Sequence, residues 1–206
     1  MIFYLTFGEL ESWLTLKPLG QLLAETVVDV EVRPMLGSLG NVVSQVKPGE
    51  LDPLAEYKAR RAAARRQARR RELDRQCDSL GIAAGQAERK IDPTMLSLGL
   101  LWMNRGAGDW ADYCYRAFQR TFRDTADVES QSVVAALISA AGVSTKGFGG
   151  FVDSERCALI DGTDVLLEQG LLSAPAFVLE GEIFHGREHL PLIRWMLEGS
   201  GGTPPV

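Results

Sequence analysis

Apolar residues recur with two different periods along this chain. Near its C-terminus, residues 176–179 form an unbroken apolar run between Pro175 and Glu180-Gly181, which predicts a short buried strand. Glu180-Gly181 predicts a tight turn, because glycine tolerates the positive φ that two-residue hairpin loops demand. Ile183-Phe184 begins the return strand and Gly186 ends it; from Glu188, Leu190, Ile193, Met196 and Leu197 recur at helical spacing. At the other end of the chain, residues 2–7 predict a buried strand, and residues 9–24 a helix with a broad apolar face that Pro18 should kink or restart. Residues 27–32 predict a second, valine-rich strand ending at Arg33-Pro34. Strand, helix, strand in that order makes a parallel, right-handed βαβ unit.

Between these ends the pattern is helical. Residues 37–53 read as a loop, and residues 54–77, dense in Ala and Arg without Pro or Gly, as a helix. After a break over 81–93, helices are expected over 94–104, over 109–123 with Asp109 as N-cap, and over 127–141 with Gly142 as its stop. Residues 152–170 read as helical with a break at Asp161-Gly162. The organisation expected is a sheet domain built from residues 1–52 and 151–199, an inserted helical domain over 53–150, and a flexible tail over 200–206.

Composition narrows the function classes. The 206 residues are 46% hydrophobic and 24% charged, ordinary values for a globular chain with a substantial core. A net charge of −5 argues against a general polyanion surface. The run of arginines from Arg60 to Arg75 has no interleaved aromatic residues and reads as a solvated helix face paired with neighbouring acids, so no nucleic-acid partner is expected. No apolar run approaches the roughly 20 residues that span a bilayer, so no membrane partner is expected. The N-terminal residues lack the basic region of a signal peptide, which points to the cytoplasm. Cys77, Cys114 and Cys157 include no C-x-x-C, so thiol–disulfide exchange is not expected.

Pro175 has no N–H to give at the mouth of a paired strand, and the residues alone leave a trans or a cis bond open. Ala174-Pro175-Ala176-Phe177, a hairpin, and Phe184-His185-Gly186 before a terminal helix together resemble the cis-proline segment of thioredoxin-like proteins. More narrowly, the segment is similar to the 2-hydroxychromene-2-carboxylate isomerase and kappa-class glutathione transferase branch of the DsbA-like group. The order of elements extends that resemblance over most of the chain. It implies an α/β thioredoxin-like fold with a large helical insertion, a cis Pro175, and a site where the first helix begins.

The branch has the pattern F-x-S-P-Y-S-W-L at that helix, and Ser12-Trp13-Leu14 match it. Glu9 stands at the position of the branch's catalytic Ser, while Leu10 and Glu11 replace Pro and Tyr. Glu9 is therefore a candidate general base facing Pro175 across a cleft between sheet and helical block, or simply a first-turn acid favoured by the helix dipole. Ser12 is the second catalytic candidate, with a structural role as its alternative. The resemblance makes Ala174, Pro175, Arg187 and Glu188 candidates for binding glutathione: the Ala174 backbone would pair with the peptide, and Glu188 stands for the branch's Asp that binds the amino group. Lys47 is a distant counterpart of a family lysine. His185 and His189 lack a third ligand, so no metal site is expected. Two classes of function follow from the resemblance. One is a glutathione-dependent isomerase or transferase acting on a small aromatic-derived substrate, with a homodimer as an open option. The other is a DsbA-like binding or dimerisation module without catalysis.

Overall fold

The computed structural model describes residues 1–37, 53–81 and 89–205. Most of the expected 37–53 loop, Lys47, residues 82–88 and Val206 lie outside the described residues. The elements are β1 (Ile2–Leu5), α1 (Leu10–Glu25), β2 (Glu31–Pro34), α2 (Pro53–Leu80), α3 (Thr94–Arg105), α4 (Trp110–Phe118), a π-helical turn (Gln119–Arg123), α5 (Gln131–Ala140), α6 (Phe148–Glu168), β3 (Ala176–Leu179), β4 (Glu182–His185) and, after a 3₁₀ turn (Arg187–His189), α7 (Leu190–Leu197). The four strands form one sheet in the order β2-β1-β3-β4. β1 and β2 run parallel, and β3 pairs antiparallel with both β1 and β4. This is the α/β thioredoxin-like arrangement expected from the order of elements. The hairpin turn has φ of 52° at Glu180 and 86° at Gly181, the doubly positive pair that matches the twist of short hairpins.

Alternation along the strands sorts the core into two faces. Phe3, Leu5, Val32, Phe177 and Phe184 belong to the main core, which also takes in buried residues of α1, α3, α4, α5, α6 and α7. Tyr4 and Ala176 point to the other face and join Met35, Leu171 and Ala174 in a small second cluster under the end of α6. The outer edge of β2 is guarded: the Asn104 side chain of α3 donates to the Val32 carbonyl at 2.7 Å, occupying an acceptor that another strand would seek.

Several boundaries differ from the sequence expectation. β2 starts at Glu31 rather than at residue 27, and Val27 is fully exposed. Its pairing is set by β1, whose Ile2 lies opposite Glu31, so the preceding valines run past the end of the sheet. α1 continues through Pro18, and α6 continues through Asp161-Gly162 without the expected break. α5 begins at Gln131, four residues later than expected. The helix starting at Asp109 changes to π geometry at Gln119. There Arg89 donates to the carbonyls of Thr121 and Ala126 at 3.0 and 2.7 Å, satisfying acceptors near the end of that turn. Asp109 does cap α4, accepting from the amides of Ala111 and Asp112 at 3.0 Å each.

Two helical glycines separate packing from freedom. A Cβ on Gly99 in α3 would overlap the buried Tyr113 hydroxyl and come within 2.7 Å of the Val134 side chain, whereas one on Gly162 in α6 meets nothing within 4 Å. Gly99→Ala should therefore lower unfolding stability by about 1–3 kcal/mol through overpacking. Gly162→Ala should raise it by about 0.5–1 kcal/mol through helix propensity. Urea unfolding monitored by circular dichroism checks both signs.

Candidate functional site

The end of β1 and the start of α1 are joined by the turn through Thr6 to Glu9. Ser12 is fully buried, and its hydroxyl accepts the Thr6 amide at 3.1 Å, which ties the first turn of α1 back onto the strand end. Its hydroxyl is thus engaged in holding this turn together. Glu9 is the N-cap residue with extended backbone (φ −125°, ψ 129°), and its carbonyl takes the Ser12 amide at 3.2 Å.

Across from this turn lies the segment before β3. The Ala174–Pro175 peptide bond is cis. The Pro175 carbonyl accepts the Gly186 amide at 2.8 Å, the last rung between this segment and β4, and Ala174 lies beyond it. Gly186 has φ 91°, and a Cβ there would overlap the Glu188 carboxylate, which folds back over this glycine. Both facts require glycine at this position. His185 Nε2 accepts the Leu172 amide at 3.1 Å.

These pieces border one cleft of about 440 Å³. Ser173, Ala174 and Pro175 line one side, His185 to Glu188 a second, and Glu11, Glu72, Leu73 and Gln76 a third. Four sequence candidates, Ala174, Pro175, Arg187 and Glu188, thus come together. From α1 it is Glu11, not Glu9, that lines this cleft, because Glu9 sits one position before the helix whereas Glu11 lies within its first turn. Ser12 lies beneath the turn rather than on the cleft wall. The α2 contributors escaped sequence reasoning, although Leu73 and Cys77, four residues apart on one face of α2, pack inward.

Charge in the cleft is ordered. Glu72 is bonded by Arg75, and by Gln76 at 2.6 Å; the Arg75 hydrogen bond first, then that of Gln76, holds its carboxyl below the usual range. Arg187 makes no ion pair among the described residues and is half-buried, so its guanidinium is the cleft's available cation.

No protein-family model and no curated protein matches the sequence. Solved structures do match in shape. The structure of a 2-hydroxychromene-2-carboxylate isomerase aligns over 97% of this chain and 94% of its own, with a TM-score of 0.58 and 19% identity. The cytosolic disulfide reductase DsbM from Pseudomonas aeruginosa aligns over 97% of both chains, with a TM-score of 0.56 and 14% identity. The same reductase solved with GSH aligns over 97% of both chains, at 0.56 and 16%.

The chain has a DsbA-like thioredoxin fold.

Within that fold, thiol exchange needs a reactive cysteine, and none stands at the start of α1. Burial pushes the Cys77 thiol up, helped by the nearby Asp74 and Asp78 charges, and burial does the same more strongly to Cys114. Cys157 is exposed on α6. An aromatic disulfide reagent at pH 8 should therefore titrate one thiol quickly in the native protein and three after denaturation. The two buried thiols stay protonated at pH values where the unfolded chain ionises, so stability should fall as pH climbs past the ordinary thiol range. Thermal unfolding between pH 7 and 10, with Cys77→Ala and Cys114→Ala controls, checks that slope.

Proposed function

We propose that the cleft beside Pro175 binds glutathione and that the protein is a glutathione-dependent isomerase or transferase of the 2-hydroxychromene-2-carboxylate isomerase type. The observation that supports this most is the convergence of Ala174, Pro175, Arg187 and Glu188 on one cleft. The residues fit such a ligand. Arg187 offers an available cation to a peptide carboxylate, Glu188 an anion to an amino group, and Ala174 a backbone edge for a peptide to pair with. When bound, glutathione would supply a thiol that adds reversibly to an unsaturated, aromatic-derived substrate. The chain's own contribution is to orient the peptide along the Ala174 edge. A function of this kind belongs in a reducing, cytoplasmic compartment, and a homodimer is compatible with it.

One observation favours a second reading, a binding module without catalysis. The Ser12 hydroxyl is buried and already engaged with the Thr6 amide, and the wall of the cleft nearest α1 presents the Glu11 carboxylate instead of a hydroxyl. A carboxylate there disfavours a thiolate beside it.

Calorimetric titration with glutathione, followed by an absorbance assay of 2-hydroxychromene-2-carboxylate interconversion, separates the two. Saturable heat with turnover supports the isomerase, and saturable heat without turnover supports the module. Arg187→Ala should weaken glutathione by about tenfold, the worth of one charge-assisted hydrogen bond. Absence of heat at millimolar glutathione would rule out the isomerase reading and leave the module.

A further inference from the structure

A second cavity of about 510 Å³ opens beside Tyr4 and Arg33, between β2, the end of α3 and the middle of α6. It shares no lining residue with the cleft around Pro175. Its walls are apolar, from Pro34, Leu101, Phe151, Leu159 and Leu166, and its size lies within the range of small-molecule sites. Two guanidinium groups stand at its polar side, each fixed in place. Arg33 is held in a two-pronged pair by Glu31, at 2.7 and 2.9 Å, with its remaining nitrogen 3.5 Å from the Tyr4 hydroxyl. Arg105 stacks 4.4 Å from the centre of the Phe151 ring and gives one nitrogen to Glu155 at 3.0 Å.

Each arginine therefore keeps donors that its acid does not take. The Arg33 contact with Tyr4 is long, and Nε and Nη1 of Arg105 have no acceptor among the described residues. Glu31 and Glu155 already balance the two positive charges, so a highly charged ligand such as a phosphate dianion is disfavoured while a single carboxylate can be shared between the spare donors.

Gly162 supplies an independent observation. It lies in the interior of α6, where glycine is among the poorest residues for a helix, and a Cβ there would touch nothing within 4 Å. Packing gives no reason for its missing side chain. Its effect is to leave open the cavity that it lines.

We propose that this cavity is a binding site for a small apolar monocarboxylate, with its hydrocarbon body along Leu101, Leu159 and Leu166 and its carboxylate between Arg33 and Arg105. Octanoate is the probe, titrated by calorimetry into the full chain, with 1-octanol as its uncharged counterpart. The wild-type protein should bind one octanoate saturably and 1-octanol at least about tenfold more weakly, the difference expected for a charge-assisted contact. Gly162→Leu grows a side chain into the cavity and should reduce octanoate binding about tenfold or more while leaving the melting temperature unchanged or raised. Arg105→Met, at a largely exposed position, should reduce octanoate binding without altering that of 1-octanol. Glutathione titration should be the same in all three proteins, which keeps this site separate from the cleft at Pro175. The proposal is overturned by no saturable octanoate heat at millimolar concentration, by undiminished binding in Gly162→Leu, or by 1-octanol binding as tightly as octanoate. Should Gly162→Leu fail to fold, the Arg105→Met and 1-octanol comparisons decide alone.

Discussion

The aromatic cluster around Phe7 is the contact on which the geometry of the cleft depends. Phe7 follows β1 directly; its ring meets Tyr113 edge-on at 6.0 Å and Phe118 at 5.1 Å. Trp13, one turn into α1, stacks on Phe118 and Phe122 at 6.2 and 6.1 Å. Both ends of the β1–α1 turn are thereby clamped to the same short stretch of α4 and its π-helical turn. All five rings are buried, and such pairs add about 0.5–1.5 kcal/mol each beyond the area they remove from water.

How far the sequence revealed this depends on where each signal resides. The hairpin from Ala176 to His185 was legible because its turn chemistry and apolar runs are local. The parallel β2 was misplaced because its position is set by β1, far off in sequence, and three valines outweighed the alternation of Glu31, Val32, Arg33 and Pro34. Gly162 read as a break because glycine disfavours helix wherever it stands. Its neighbours carry α6 straight through, so the local penalty is met by the packing of Phe151, Leu159 and Thr163 on either side. Thr163 also accepts the Leu36 amide at 3.4 Å, fastening the chain after β2 to this helix.

The site divides along the same line. Ala174, Pro175, Arg187 and Glu188 come from a contiguous pattern whose geometry is local, and they line one cleft. The motif pointed to Glu9, whereas the lining of the cleft includes Glu11, because matching a motif counts positions but does not say which residue is the cap and which the first-turn side chain. Glu72 and Gln76 were passed over because the arginine run of their helix read as a solvated face, although Leu73 and Cys77 pack into the core. The replacement of a hydroxyl by acids near the start of α1 remains the chief difference from the family pattern. Under the proposed reading it bears on reactivity more than on ligand holding, since the edge that Ala174 would offer a peptide is a property of backbone.

The cleft and the second cavity flank one small buried cluster. Tyr4 borders the cavity, Ala174 borders the cleft, and both belong to the cluster with Met35, Leu171 and Ala176. Packing continuity of this kind does not by itself couple two sites. Coupling needs an element with two arrangements that each ligand prefers differently. Here the intervening residues are small or held: Ala176 pairs with Tyr4 in the sheet, the Pro175 carbonyl is fixed by Gly186, and Arg33 by Glu31. On these grounds the row from Arg33 through Tyr4 and Ala176 to His185 separates two independent cavities, and their ligands should fill them without cooperativity.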